Sequence, residues 1–244
     1  RFWMWLYQME REVRSEIPIF YYNIWDDLPY PMWNQPYYDS VDALFNISKQ
    51  TVNIVKNVRS SYEPWQATYI PHGINEEVFY PINKKHVEYP KVENFKKRFN
   101  KEVDFIVFYN NRNIRRKLPG DVILAFKTFW DKLPKEEADR CALLMHTQPV
   151  DQNGTDLPAV KKAVAPDCNI YFSENRLDQK EMNLLYNIAD VTINMASNEG
   201  FGLGTAESLM CGKPMIVNVT GGMQDQCGFK YKGKHLTVDD YDWV

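Results

Sequence analysis

Two acids bracket a glycine-rich turn in the stretch "NEGFGLGTAESLMCGKP", residues 198–214. Glu199 precedes Gly200, Phe201 and Gly202, and Glu207 follows in a short helix-like run that breaks at Gly212 and Pro214. Glycines let backbone N–H groups approach an anion, and a helix starting near Leu203 adds its positive end, so Gly202, Leu203, Gly204 and Thr205 suit a phosphate. An acid repels phosphate, so Glu199 must serve another group. Helical side chains lean toward the N-terminus, which points the Glu207 carboxylate back along its helix, where it can accept hydrogen bonds from a diol. A ribose offers such a diol and so does a hexose. Two acids around a phosphate cradle therefore suit a nucleotide sugar. The bland alternative leaves Glu199 solvated and Glu207 as an ordinary helix-surface acid, and spacing alone does not separate the two.

A second candidate is basic. "FYNNRNIRRKLPGDVI" places Arg112, Arg115, Arg116 and Lys117 directly after a buried-strand pattern and before a helix pattern. Most charge runs are solvated loops. This position at a strand end favours anion binding over that reading.

The elements that must hold these groups alternate. Apolar strand-like runs at 17–22, 42–47, 67–71, 104–110, 141–147, 169–172 and 190–195 are separated by helix-period segments, the pattern of βα units building a parallel sheet covered on both faces. The fold class is α/β. Ser48 can cap the helix "SKQTVNIVKNV", and Val122, Ala125, Phe126, Phe129, Trp130 and Leu133 have helical spacing. Asp178 with Glu181 forms a capping-box pattern, and Leu177 can staple onto Met182. The run Tyr80–Lys101 is charged, bracketed by prolines and poor in apolar period, which sets the expected domains at 1–80, a linker at 81–101 and 102–244.

Several lines converge on one family. "EGFG", a small helix with a second Glu, "CGKP", a strand and "GG" occur in the order found in the family-4 (group 1) retaining glycosyltransferases of GT-B fold, which this chain resembles over about residues 17–236. Gly204 stands where the family more often has Pro, and Asp225 where it more often has Glu. "NNRNIRRK" is similar to the family's strand-end "GR" followed five residues later by Lys, matching Arg112 and Lys117, with Asn111 at the usual Gly. "YIPHGINEEVFYP" resembles the passage out of the first domain, with His72 at the usual Asn.

The resemblance implies two Rossmann-like domains, the N-terminal one incomplete, and transfer of a hexose from a UDP- or GDP-type donor to an acceptor hydroxyl with retained configuration. It assigns the diphosphate to Arg112 and Lys117, the sugar hydroxyls to Glu199, backbone donors to Gly200 through Leu203, and the ribose to Glu207. It implies no cofactor and no metal. The acceptor is open: glycan, lipid or protein. The competing reading from another class is a nucleotide-sugar binding or assembly piece without activity of its own, because about 80 residues are few for a complete first domain.

Composition bounds the partners. The 244 residues carry a formal net charge of -3, which argues against nucleic acid as the main partner. Cys141, Cys168, Cys211 and Cys227 show no CxxC pairing and read as thiols of a reducing compartment, hence a cytoplasmic expectation. The sequons at Asn46, Asn153 and Asn218 read as chance matches. The opening "RFWMWLYQMEREVRSEIP" is too short in its apolar run to span a bilayer and reads as a core helix of a chain that starts mid-protein, with peripheral membrane contact as the secondary reading. A dinucleotide oxidoreductase would need G-x-G-x-x-G, which Gly200, Gly202 and Gly204 do not form. "DYD" at 240–242 matches the letters of a metal-binding DxD but is a common tripeptide.

Overall fold

A computed structural model describes residues 4–99 and 102–235. The chain divides into two compact units: one of residues 1–73, 198–202 and 219–244, the other of residues 74–197 and 203–218.

In the first unit, helix α1 (Met4–Glu16) leads into strand β1 (Phe20–Asn23), then α2 (Gln35–Asp39), β2 (Ala43–Asn46), α3 (Lys49–Val58) and β3 (Ala67–Tyr69). The three strands form a parallel sheet in the order β1-β2-β3. Thr51, Ile54, Val55 and Val58 of α3 are buried at helical spacing and pack with Leu44, Tyr38 and Ala67. Ser48 caps α3 through the Thr51 N–H, as its position before the apolar period predicts.

The second unit holds α4 (Tyr89–Lys96), β4 (Phe105–Asn110), α5 (Pro119–Trp130), α6 (Lys135–Ala138), β5 (Cys141–His146), α7 (Leu157–Val164), β6 (Ile170–Ser173), α8 (Gln179–Ile188), β7 (Val191–Asn194), α9 (Leu203–Met210) and β8 (Met215–Val217). Helix α10 (Gly221–Cys227) and the antiparallel pair β9 (Lys230–Tyr231) and β10 (Lys234–His235) belong to the first unit. The five strands of the second unit are all parallel, in the order β6-β5-β4-β7-β8.

Strand β4 is central, and its alternation builds two cores. Val107 and Tyr109 pack with Val122, Ile123, Phe126 and Leu143 on one face, while Ile106 and Phe108 pack with Leu185, Tyr186 and Ile188 on the other. The α/β fold expected from the alternation is therefore present. In α5 the buried positions are Val122, Ile123, Phe126 and Trp130, so Ile123 rather than Ala125 faces the sheet. Residues two apart project from different sides of a helix, so the face that buries Val122, Phe126 and Trp130 takes one of the two, and the larger Ile123 gains more from burial.

The division of the chain differs from one placed at the charged run 81–101. The first unit gives way to the second between Gly73 and Ile74, and residues 74–99 are built into the second unit. Buried Asn183 and Asn187 on α8 hold them there: Asn187 donates from Nδ2 to the Tyr80 carbonyl (3.0 Å) and accepts from the Ile82 N–H (2.6 Å), and Asn183 accepts from the Tyr80 N–H (3.3 Å). Phe79, Ile82 and Val92 join the core beneath. Composition conceals this because the segment is held by backbone bonds to two amides. Residues 100 and 101 at the end of the run lie outside the described residues.

The four thiols are free, three of them buried and Cys227 partly so. Asn46 is fully buried, Asn218 spends its amide on the Met195 and Ala196 carbonyls, and Asn153 lies exposed in a turn. Among the described residues no helix is long and apolar enough to cross a membrane.

Helix α8 starts on the anticipated capping box, with Asp178 accepting from the Glu181 N–H (2.8 Å) and Glu181 accepting from the Asp178 N–H (2.9 Å). Asp178→Ala should cost about 1 kcal/mol of stability, read as a lower urea midpoint at unchanged m-value.

Candidate functional site

Strands β4 and β7 are neighbours, with Val107 opposite Val191 and Phe108 opposite Thr192, so their carboxyl ends at Asn110 and Asn194 lie side by side. From β4 the chain proceeds to β5 on one side of the sheet, and from β7 to β8 on the other. This is the topological switch point of an open α/β sheet, where ligands bind outside the strand ends.

The basic turn leaves β4 here. Asn113 is fully buried and anchors it to the loop after β5, donating from Nδ2 to the carbonyls of Gln148 (3.0 Å), Pro149 (3.2 Å) and Thr155 (2.6 Å) and accepting from the Thr155 N–H (3.0 Å). A Cβ on Gly154 would stand 2.2 Å from the Asn113 carbonyl oxygen, so only glycine fits that crossing.

Arg112 is mostly exposed and donates from Nε to Asp151 (3.1 Å). The Asp151 carboxyl is held below its ordinary range, first by the Asn153 N–H and then by that guanidinium. Lys117 closes a 3₁₀ turn at Arg115–Lys117 and is buried, and its carbonyl accepts from the Tyr109 hydroxyl at 3.1 Å. Leu118 then takes a left-handed backbone (φ 50°) before Pro119 opens α5. That conformation costs a leucine about 1–3 kcal/mol, and such strain concentrates at functional sites.

Helix α9 is seated against the same strand ends by buried polar groups. Asn111 donates to the Asn194 side-chain oxygen (3.3 Å), Asn194 donates to Thr205 Oγ1 (3.2 Å), and Ser208 donates to Thr192 (2.8 Å). Asn194 also accepts from the Ala196 N–H (3.2 Å), which shapes the exit from β7. The Ser197 N–H donates to the Arg116 carbonyl (2.9 Å), tying that exit to the basic turn. Among the described residues only Leu118 and Lys232 are non-glycine residues at positive φ, so Asn111 needs no left-handed backbone; its side chain takes up the contact with Asn194.

Glu207 lies one turn into α9. It accepts from the Tyr186 hydroxyl (2.7 Å), which in turn accepts from Asn110 Nδ2 (2.7 Å). Burial raises the Glu207 pKa above the ordinary carboxylate value and the Tyr186 bond opposes that rise, while burial and the nearby Glu207 carboxylate push Tyr186 well up. Beneath it, a Cβ on Gly204 would lie 3.3 Å from both the Asn110 carbonyl and the Tyr186 hydroxyl, which fits a glycine where helix and strand meet closely.

The second unit thus brings together Arg112, Lys117, Leu203, Gly204, Thr205 and Glu207. Glu199, Gly200, Phe201 and Gly202 pack in the first unit. There the Glu199 carbonyl accepts from the Gly222 N–H (3.1 Å) and Phe201 accepts from Gln226 (2.6 Å). A Cβ on Gly221 would fall 1.6 Å from the Glu199 oxygen, and one on Gly222 would fall 2.5 Å from Phe201, which is the steric reason a "GG" pair accompanies "EGFG". Gly202 adopts φ 88° before the chain enters α9. His72 packs its ring edge-on to Phe201 (5.2 Å) and lies within hydrogen-bond distance of the Tyr22 hydroxyl (3.3 Å), so it braces the turn before Gly73.

Asn110, Asn111, Asn113, Tyr186 and Asn194 were not singled out as site residues from sequence. The available signal was asparagine as the last residue of an apolar run, in "FYNN" and "TIN". Among the described residues no three His, Cys, Asp or Glu side chains group as a metal site. Asp240 and Asp242 lie outside the described residues.

The model of the glycosyl transferases group 1 family matches residues 91–242. This chain belongs to that family. Sucrose-phosphate synthase from Thermosynechococcus elongatus is a structural neighbour at TM-score 0.65 and 18% identity, with 90% of this chain and 55% of that one aligned. The Anabaena protein Alr3699/HepE, solved with UDP and glucose, superposes at TM-score 0.68 and 13% identity, covering 89% of this chain and 56% of that one. An E. coli trehalose-6-phosphate structure bound with UDP-2-fluoro glucose gives TM-score 0.65 and 15% identity over 90% of this chain and 58% of that one. The chain therefore has the GT-B fold and spans a little over half the length of these neighbours. None of the curated proteins matches it.

Tyr186→Phe tests the Glu207 relay. Without the hydroxyl the Glu207 pKa should rise further, as a carboxyl-resolved NMR titration of the two proteins would record. The folded state holds the Glu207 proton more tightly than the unfolded chain does. Its stabilising contribution is thus complete below the ordinary carboxylate pKa and lost as pH rises through the folded value, and Glu207→Gln should flatten that part of the stability profile.

Proposed function

We propose that this chain carries the donor-binding machinery of a retaining glycosyltransferase that moves a hexose from a nucleotide sugar to an acceptor hydroxyl. The observation that carries this reading is the Asn111–Asn194–Thr205 relay, which seats the basic turn and the start of α9 at adjacent strand ends. Family membership and two neighbours solved with UDP or a UDP sugar support it.

Arg112 and Lys117 hold the diphosphate, the backbone N–H groups of Gly200 through Thr205 add donors, Glu199 orients the sugar hydroxyls and Glu207 takes the ribose diol. As the bond from the anomeric carbon to the diphosphate oxygen breaks, its electron pair leaves with the diphosphate. The acceptor oxygen bonds to the same face of that carbon and its proton passes to the leaving phosphate. Charge grows on the leaving group, so fixed cations stabilise the transition state more than the bound donor. The Lys117 ammonium and Arg112 guanidinium supply that charge, and the reaction proceeds without a metal. Free thiols are compatible with a reducing, cytoplasmic setting.

Titration with UDP, GDP and ADP should give saturable binding to at least one; no binding to any of the three would overturn the reading. Lys117→Ala should lower turnover of the matching hexose donor by about 10²–10³-fold. Glu199→Gln should abolish turnover while nucleotide binding persists, and activity should survive EDTA. Saturable binding without turnover would instead establish a nucleotide-sugar binding piece.

A further inference from the structure

An arginine has several rotatable bonds to order, so a loose guanidinium beyond the end of β4 would lose much of its attraction for an anion to the cost of becoming fixed. The second unit supplies a holder. Arg112, whose side chain is 64% exposed, donates from Nε to Asp151 Oδ2 at 3.1 Å, while its Nη1 and Nη2 make no hydrogen bond among the described residues.

Asp151 is itself fixed. Its side chain is only 13% exposed, its Oδ1 accepts from the Asn153 N–H (2.9 Å), and its carbonyl accepts from the Gly154 N–H (3.0 Å). The Asn153 carbonyl accepts from the Arg115 N–H (3.2 Å), and Thr155 joins the buried Asn113 through both its N–H and its carbonyl. The carboxylate is thus pinned to the same turn that carries Arg112. Its pKa is held below the ordinary range by the Asn153 N–H and then by the guanidinium, so it stays charged at neutral pH.

Two simpler roles do not match this arrangement. As a contributor to stability the pair is minor, because its cation lies in water-exposed, high-dielectric surroundings. As a lock it would have to occupy the donors that a phosphate takes. A guanidinium is planar, with the Nε–H on one edge and the Nη1 and Nη2 pair at its end, and phosphate oxygens match that end in a bidentate fork. Asp151 holds the edge and leaves the end.

We infer that Asp151 is a positioning residue for donor binding, which fixes the Arg112 guanidinium through Nε and so offers Nη1 and Nη2 to the diphosphate as a fork already ordered. This rests on the reading of Arg112 as a diphosphate ligand given above. Each carboxylate oxygen has one task, Oδ1 to the loop and Oδ2 to the cation. A neutral amide at the same place keeps the first and loses the second, because its Nδ2 donates where Arg112 also donates.

The test combines Asp151→Asn with Arg112→Ala in calorimetric titrations of UDP, GDP and ADP on this chain. For whichever nucleotide binds, Asp151→Asn should weaken it about tenfold, the equivalent of about 1.4 kcal/mol. In the Arg112→Ala background, where no guanidinium remains to be held, the same change should not weaken binding. NMR gives a readout separate from affinity: the Arg112 Nε–H should exchange slowly with water in the free protein and rapidly in Asp151→Asn. Equal exchange in the two proteins would overturn the inference, as would equal weakening with and without Arg112. Tighter binding by Asp151→Asn would make the pair a lock and overturn it too. Nucleotide binding that Asp151→Asn leaves unchanged would overturn the inference and leave the donor reading standing, whereas a chain that binds none of the three overturns both.

Discussion

The arrangement of the candidate site residues in the second unit depends on satisfying amides where two parallel strands end. Asn111 and Asn194, at the carboxyl ends of β4 and β7, are joined through Asn194 to Thr205 of α9, and the buried Asn194 and Thr205 each need a hydrogen-bond partner because water is excluded from them. The bonds that satisfy them bring the start of α9 and the turn after β4 to adjacent strand ends. A buried polar chain of this kind is costly when partly made and selective when complete, since an alternative packing would leave an amide unpaired. The glycine-rich helix start and the cations therefore owe their proximity to groups that carry no charge.

A second layer of the same logic holds Glu207. The Asn110–Tyr186 pair reaches across from β4 and α8 to one carboxylate oxygen, so the acid is oriented by a bond and kept ionisable against its burial. Asn113 plays the matching part on the other side of β4, where it spans two loops with four bonds. Three successive elements of positioning are thus asparagine side chains at strand ends. Their short, rigid amides can donate and accept at once, which neither serine nor a carboxylate does as completely.

The first unit applies steric rather than polar selection. Its paired glycines at 221 and 222 bring α10 against the backbone of Glu199 and Phe201 at distances that exclude any side chain. That contact is contiguous in space and separated by about twenty residues in sequence. It accounts for the co-occurrence of the two glycine motifs without invoking a ligand contact at Gly221 or Gly222.

The periodicity of apolar residues by itself determined the α/β class, the parallel sheet and the place of the basic motif at a strand end, and the Asp178–Glu181 spacing determined the α8 capping box, because these depend on side-chain spacing and local backbone bonds. Tertiary structure alone decided where the chain divides, because Asn183 and Asn187 reach more than a hundred residues back to backbone groups at Tyr80 and Ile82. It likewise decided that Ile123 rather than Ala125 is core, and that Asn111 serves through its side chain rather than through turn geometry. Local sequence reports the hydrogen-bonding capacity of an asparagine; only the folded chain selects the partner that uses it.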